Sequence, residues 1–197
     1  MRRSARPLAA ALLVASAGCA TAGARTHHAG TPAAAADTTR RVTHTAADVE
    51  FMEGMLAHHA QALEMTALVP TRTRRDDVRL LAERIDVSQR DEMAAMRQWL
   101  RARGQDTTGA AHAGHAMPGM ATAAEMTRLA ASSGPAFDTL FLDLMTRHHE
   151  GALAMVARLF ATPGAGQEPA MFDFVSHVDS DQRIEISRMR AMRGSRR

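Results

Sequence analysis

One segment of the sequence occurs twice. Met55-x-x-His58-His59-x-x-Ala62-Leu63-x-Met65 returns ninety residues later as Met145-x-x-His148-His149-x-x-Ala152-Leu153-x-Met155. Asp48 and Phe51 align with Asp138 and Phe141 in the same register. With a shift of 93, Ile85, Asp86, Gln89, Arg90, Glu92 and Met96 align with Val178, Asp179, Gln182, Arg183, Glu185 and Met189. The repeated unit is a pair of helical patterns, and packing two such hairpins about a pseudo-twofold axis predicts an all-α four-helix bundle.

The periodicity supports this. Phe51, Met55, His58, Ala62 and Met65 recur at steps of 4, 3, 4 and 3, which lines one inward helix face. Thr45 to Asp48 reads as a cap for this first helix, and Pro70 is expected to close it. The second helix is expected from about residue 74 to 103, with Leu81, Ile85, Gln89, Glu92, Met96 and Trp99 or Leu100 on its seam and Gly104 at its end. Residues 104–121 form a linker containing Gly, His and Met. Thr122 and Glu125 then cap a short helix to about Ser132. Long helices follow from Pro135 to Phe160 and from Pro169, a residue type suited to the first helical position, to about Arg193. Sparse aromatics, at 4% with no Tyr, favour helices over sheets.

The N-terminus reads as an export signal over residues 1–19. Arg2, Arg3 and Arg6 precede an apolar run, Leu8 to Ala17, that is too short to span a bilayer permanently. The run ends in Ser16-Ala17-Gly18-Cys19, which resembles a lipobox; lipidation of Cys19 would anchor the chain to a membrane. Cleavage after Ala22 or Ala24 is the alternative. Residues 20–43, rich in Ala, Thr, Gly and Pro, read as a flexible tether, and 44–193 as the folded domain. Three of the 24 basic residues and none of the 21 acidic ones precede Cys19, so the mature chain is formally neutral, and it has no Lys. That excludes the electrostatic footprint of a nucleic-acid binder. Cys19 is the sole cysteine, which excludes an intrachain disulfide and a thiolate cluster.

Side chains at i, i+3, i+4 and i+7 share a helix face, so Met55, His58, His59 and Ala62 cluster, as do Met145, His148, His149 and Ala152. Imidazole with thioether points to copper, or to silver as its mimic. The plain alternative is that Met fills core gaps and the histidines are hydrogen-bonded core residues. Neighbouring histidines diverge by about 100° on a helix, so one of each pair is expected at the seam and the other at a groove or solvent. The linker motif His112-x-x-His115-x-Met117-Pro118-Gly119-Met120 is too polar for core and favours a soft-metal site. Met65 and Met155 complete the candidate set. Gln89, Glu92, Gln182 and Glu185 fall at seam positions and need partners. Glu92 and Glu185 are expected either to accept hydrogen bonds from the His rings, orienting them behind a metal, or to face solvent or pair with Arg90 and Arg183. No acidic residue stands three before any His, which argues against a ferritin-like di-iron enzyme, and the zinc-protease pattern after His149-Glu150 fails at Leu153. Binding rather than catalysis is the expectation, with affinity weakening as pH falls through about 6.5.

Over residues 45 to 193 the sequence resembles the bacterial DUF305 family, also called the CopM family. The resemblance rests on Asp48-x-x-Phe51-Met52-x-x-Met55-x-x-His58-His59, on Met117-Pro118-Gly119-Met120, and on Phe137-Asp138-x-x-Phe141-Leu142-x-x-Met145-x-x-His148-His149-x-Gly151-Ala152, together with the Gln and Glu pattern of the second and fourth long helices. It implies a ferritin-like four-helix fold, export to the periplasm or envelope and, as for the few members with a known role, copper binding in metal resistance. Met52 joins the candidate ligands on this basis. The implied function is sequestration of copper or its handover to a transport or efflux partner; the competing reading is an envelope scaffold or interaction module with structural His and Met.

Overall fold

The computed structural model describes residues 43–110 and 117–194. The signal segment with Cys19, nearly all of the tether, and the candidate ligands His112 and His115 lie outside the described residues.

Among the described residues there are five helices and no strand: α1 (Ala46–Arg72), α2 (Asp76–Arg101), α3 (Ala123–Ala131), α4 (Gly134–Ala161) and α5 (Pro169–Gly194). The two capping boxes form as the sequence predicts. Thr45 Oγ1 accepts from the Asp48 amide at 3.2 Å while Asp48 Oδ2 accepts from the Thr45 amide at 2.7 Å, and Thr122 and Glu125 do the same for α3. Pro70 does not close α1, which runs on to Arg72 and ends with the Thr73 amide bonded to the Val69 carbonyl. So near a helix end the missing proline N–H forfeits a single bond, and the last two residues stay helical. None of the described helices is long and apolar enough to cross a membrane.

The four long helices make a bundle of two hairpins. α1 packs on α2 and α4 on α5, and the hairpins join through α1 against α4 and α2 against α5. The start of α1 meets the α4–α5 loop, where Asp48 Oδ1 accepts from the Gly166 amide at 2.7 Å. The end of α2 is tied to the start of α5 because Trp99 Nε1 donates to Glu168 at 3.0 Å and the Arg103 guanidinium, 3.8 Å from the Trp99 ring centre, also pairs with Glu168.

The core has two apolar halves. One holds Met65, Ile85, Phe137, Phe141, Met145 and Ile186; the other holds Phe51, Met55, Met93, Ala152, Val156 and Val178. Along every long helix the polar seam residues fall between the halves: His58 and His59 between Met55 and Ala62, His148 and His149 between Met145 and Ala152, Gln89 and Glu92 between Ile85 and Met93, and Gln182 and Glu185 between Val178 and Ile186. All but Glu92, which is slightly open, are buried. A polar belt thus crosses the middle of an otherwise apolar bundle.

The repeat partners Asp48 and Asp138 have diverged. Asp48 serves both its helix cap and the Gly166 amide, whereas Asp138, equally buried, leaves Oδ1 unpartnered. Asp48→Ala is therefore expected to lower unfolding free energy by about 2–3 kcal/mol, and Asp138→Ala by less than about 1 kcal/mol, in urea denaturation. Equal losses would contradict this assignment.

Candidate metal centre

The helix repeat brings its two His-His pairs together in the middle of the bundle. His58 of α1 and His148 of α4 meet ring to ring across the seam, with centroids 3.8 Å apart and planes tilted by 36°. His58 Nε2 lies 3.0 Å from the Pro118 carbonyl oxygen, and His148 Nε2 lies 3.0 Å from the carbonyl oxygen of His58. The other two rings turn outward to the neighbouring helix of their own hairpin. His59 Nε2 is 2.6 Å from Glu92 Oε2 on α2, and His149 Nε2 is 2.7 Å from Glu185 Oε2 on α5.

These four partners assign the tautomers. A carbonyl or carboxylate oxygen accepts, so each Nε2 carries the hydrogen and donates; in the neutral ring Nδ1 then holds a lone pair. All four Nδ1 atoms are buried and have no hydrogen-bond partner, and both side-chain polar atoms of Gln89 and of Gln182 share that condition. Leaving a buried polar group unpaired costs about 1–3 kcal/mol, so the belt is a concentration of unpartnered polar atoms that packing alone would disfavour.

Two sequence expectations change here. Neither member of a His pair faces solvent, for all four are fully buried. The divergence along the helix carries one ring to the α1–α4 seam and the other to the seam within the hairpin, and both seams are closed. Arg90 and Arg183 do not engage Glu92 or Glu185 either. They pair one turn back on their own helices, Arg90 with Asp86 and Arg183 with Asp179, each at 2.7 Å. The two glutamates are left to the imidazoles.

Burial also governs protonation. Desolvation first, and then the neighbouring His59, lowers the pKa of His58 to about 3, against the partial compensation of the Pro118 hydrogen bond. His148 is held well below its ordinary value, again chiefly by burial and then by His58. The loss of metal affinity expected near pH 6.5 therefore does not apply to this pair, which stays neutral far below that pH. On the α2–α5 side, Asp181 is raised by burial and by the charges of Glu92 and Glu185.

The methionines divide into two groups. Met52, Met55, Met65 and Met145 are fully buried in the apolar halves. Met117, Met120 and Met155 are half-buried, and Met117 and Met155 line one cavity of about 230 Å³ with Phe51 and Pro118. Among the described residues no three His, Cys, Asp or Glu side chains converge to hold an ion; an ion in the belt would draw on two imidazoles or on thioether sulfur. A larger recess beside the α1–α2 turn, lined by Arg72, Arg74, Arg75 and Arg79, contains none of the candidate ligands.

Sequence reasoning overlooked Gln61. Its side chain accepts from the Ala121 amide at 2.7 Å and donates to the Ala121 carbonyl at 2.8 Å, clamping the segment from Met117 to Ala121 against α1. On α4 the same segment lies flat on Gly151, where an added Cβ would stand 2.0 Å from the Pro118 oxygen. Gly119 allows this approach with φ of +76°. A signal was available: Gln61 and Gly151 are repeat partners ninety positions apart, and they break the repeat three residues after its first histidines.

Comparison with known proteins places this arrangement in context. The family model described as "Domain of unknown function (DUF305)" matches residues 48–193. A DUF305 fragment from Deinococcus radiodurans is similar at 33% identity, over 77% of this chain and 97% of that one, with a TM-score of 0.65. A DUF305 protein of Streptomyces coelicolor, whose name infers secretion, is similar at 31% identity, over 73% and 89%, with a TM-score of 0.62. CopM, solved in Cu(I)-bound and Cu(II)-bound forms, shares the fold at 23% identity, over 74% and 94%, with TM-scores of 0.59 and 0.61. No curated protein matches the sequence.

The depressed His58 and His148 pKa values carry a stability consequence. Below about pH 6.5 the unfolded chain takes up protons that the native rings refuse, so stability falls as pH drops from 6.5 towards 3, by about 2 kcal/mol at pH 5 from His58, with a further loss in the same direction from His148. Urea unfolding at pH 7.5 and 5 should display this drop, and His148→Leu should make it shallower. A variant with the wild-type pH dependence would show that His148 does not contribute.

Proposed function

The chain belongs to the DUF305 family, and from that premise we propose that it is an exported protein that holds a monovalent soft ion, Cu(I) with Ag(I) as its mimic, on the Nδ1 atoms of His58 and His148. It sequesters the ion or passes it to a transport or efflux partner, and it turns over no substrate. The observation that carries the reading is the set of buried Nδ1 atoms in the belt that have no hydrogen-bond partner.

Several features support it. Two neutral imidazoles suffice for an ion that tolerates low coordination, and their burial keeps protons from competing. Soft thioethers nearby favour Cu(I) over harder cations. Glu92 and Glu185 hold the rings of His59 and His149 by Nε2, and this fixes the packing of the residues next to His58 and His148. CopM, which is copper-bound in its own structures, has the same fold. Export agrees with the N-terminal signal pattern and with the name of the Streptomyces coelicolor relative, and lipidation at Cys19 would keep the bundle at the membrane surface.

Anaerobic Cu(I) titration of the mature chain against a competing chelator tests the reading. The His58→Leu/His148→Leu variant should lose at least about 100-fold in affinity, and Glu92→Gln about 10-fold or more. Wild-type affinity should hold from pH 7.5 to 5, because His58 stays neutral across that range. Unchanged binding by the double variant would leave the bundle as a scaffold with structural histidines.

A further inference from the structure

The two hairpins differ most where each one turns. Residues 162–168 join α4 to α5, and the Gly166 amide of that loop donates to Asp48 Oδ1 at 2.7 Å. The turn from α1 to α2 is shorter, residues 73–75 alone. It brings no amide to Asp138, the repeat partner of Asp48, whose Oδ1 has no hydrogen-bond partner although the residue is only 2% exposed. In place of a latched loop there is a recess of about 1130 Å³, lined by Asp138, by the start of α4 and by the α1–α2 turn.

Four arginines surround this recess: Arg72 from the end of α1, Arg74 and Arg75 from the turn, and Arg79 from α2. Arg75 is held by both carboxylate oxygens of Asp77, at 3.0 and 2.5 Å. Arg72, Arg74 and Arg79 have no ion pair among the described residues, and Arg72 Nε is buried without a partner. In the second hairpin the aligned residues are Thr162, Gln167, Glu168 and Phe172, so the basic cluster belongs to the first hairpin's turn alone. Both α2 and α4 begin at the rim without the side-chain cap that α1 and α3 carry, which sets two positive helix ends beside the arginines.

We infer that this recess binds a small phosphate monoester whose organic part carries a hydroxyl or ammonium group. Three guanidiniums from separate parts of the chain suit the three free oxygens of a monoester better than the two of a carboxylate. The second group follows from Asp138. A carboxylate beside an anion opposes it unless the ligand brings a hydrogen of its own, and such a donor on Asp138 Oδ1 would reproduce the contact that Gly166 makes with Asp48. The volume agrees, being on the scale of small-molecule sites, about 300–1,000 Å³, rather than of a bare ion. Asp138 stands ten residues before His148 on α4, about 15 Å along the helix, so this site is independent of the histidine belt.

Calorimetric titration of the full chain with three monoesters tests the assignment. The better of glycerol phosphate and ethanolamine phosphate should bind at least about tenfold more tightly than methyl phosphate, which has the phosphate charge and no donor. Arg74→Gln/Arg79→Gln, at two exposed positions, should weaken all three by about tenfold or more. Asp138→Ala should remove only the preference, bringing the donor-bearing esters down to the affinity of methyl phosphate. No binding of any monoester, equal affinity for all three, or a preference that survives Asp138→Ala would overturn the site. Arginine-dependent binding of phosphatidylglycerol vesicles by a chain that ignores the soluble monoesters would also overturn it, in favour of a membrane surface.

Discussion

The hydrogen bond that each imidazole donates through Nε2 organises the rest of the molecule. Four rings donate to four fixed oxygens, two of them backbone carbonyls and two of them carboxylates, and Nδ1 of each ring is left without a hydrogen-bond partner. The oxygens are fixed because each is anchored independently: Pro118 by the strap, the His58 carbonyl by α1, and the two glutamates by the seams of their hairpins. Apolar halves on either side exclude water from the belt. That exclusion keeps His58 and His148 neutral and makes the unpartnered polar atoms of the belt costly. A bundle selected only for stability would place Leu or Phe at these positions.

The duplicated architecture explains where the belt comes from, and the departures from duplication explain how it is approached. A pseudo-twofold relation sets His58 against His148 because α1 and α4 cross in the same register. Had the symmetry been complete, both faces of that pair would be enclosed alike. Three replaced partners make the faces different: Gln61 against Gly151 docks a strap on one side, Asp48 against Asp138 latches only one loop, and Met65 against Met155 puts one thioether in the core and the other at a cavity. The difference between the two faces therefore arises from the linker between the repeats.

Features governed by local chemistry were legible in the sequence. The capping boxes at Thr45 and Thr122, the helix start at Pro169 and the inward stripe through Met55 and Ala62 depend on neighbours within a few residues, and they formed where expected. The contacts of Glu92 and Glu185 with the imidazoles could be posed as one of several options because the repeat put both at equivalent seam positions. The option was decided by Arg90 and Arg183, which found acidic partners one turn away on their own helices. What stayed hidden depended on enclosure. Two adjacent histidines can both be buried only when two seams close at once, which no helical wheel of α1 alone reveals. The downward shift at His58 follows from that enclosure, and the shared cavity of Met117 and Met155 follows from a strap docked by residues sixty and thirty-two positions distant from its ends, Gln61 from Ala121 and Gly119 from Gly151. Pro70 misled because its effect was weighed as if it stood in mid-helix.

The central claim is that His58 and His148 keep hydrogen on Nε2 and hold bare lone pairs at Nδ1. Long-range ¹H–¹⁵N correlation of the histidine rings reads this atom by atom. At pH 6 the expected spectrum has protonated Nε2 and unprotonated Nδ1 for His58 and His148, and a large upfield movement confined to Nδ1 of these two when Cu(I) is added anaerobically. Protonated Nδ1 at either ring before addition, or a response at Nε2 after it, would contradict the account.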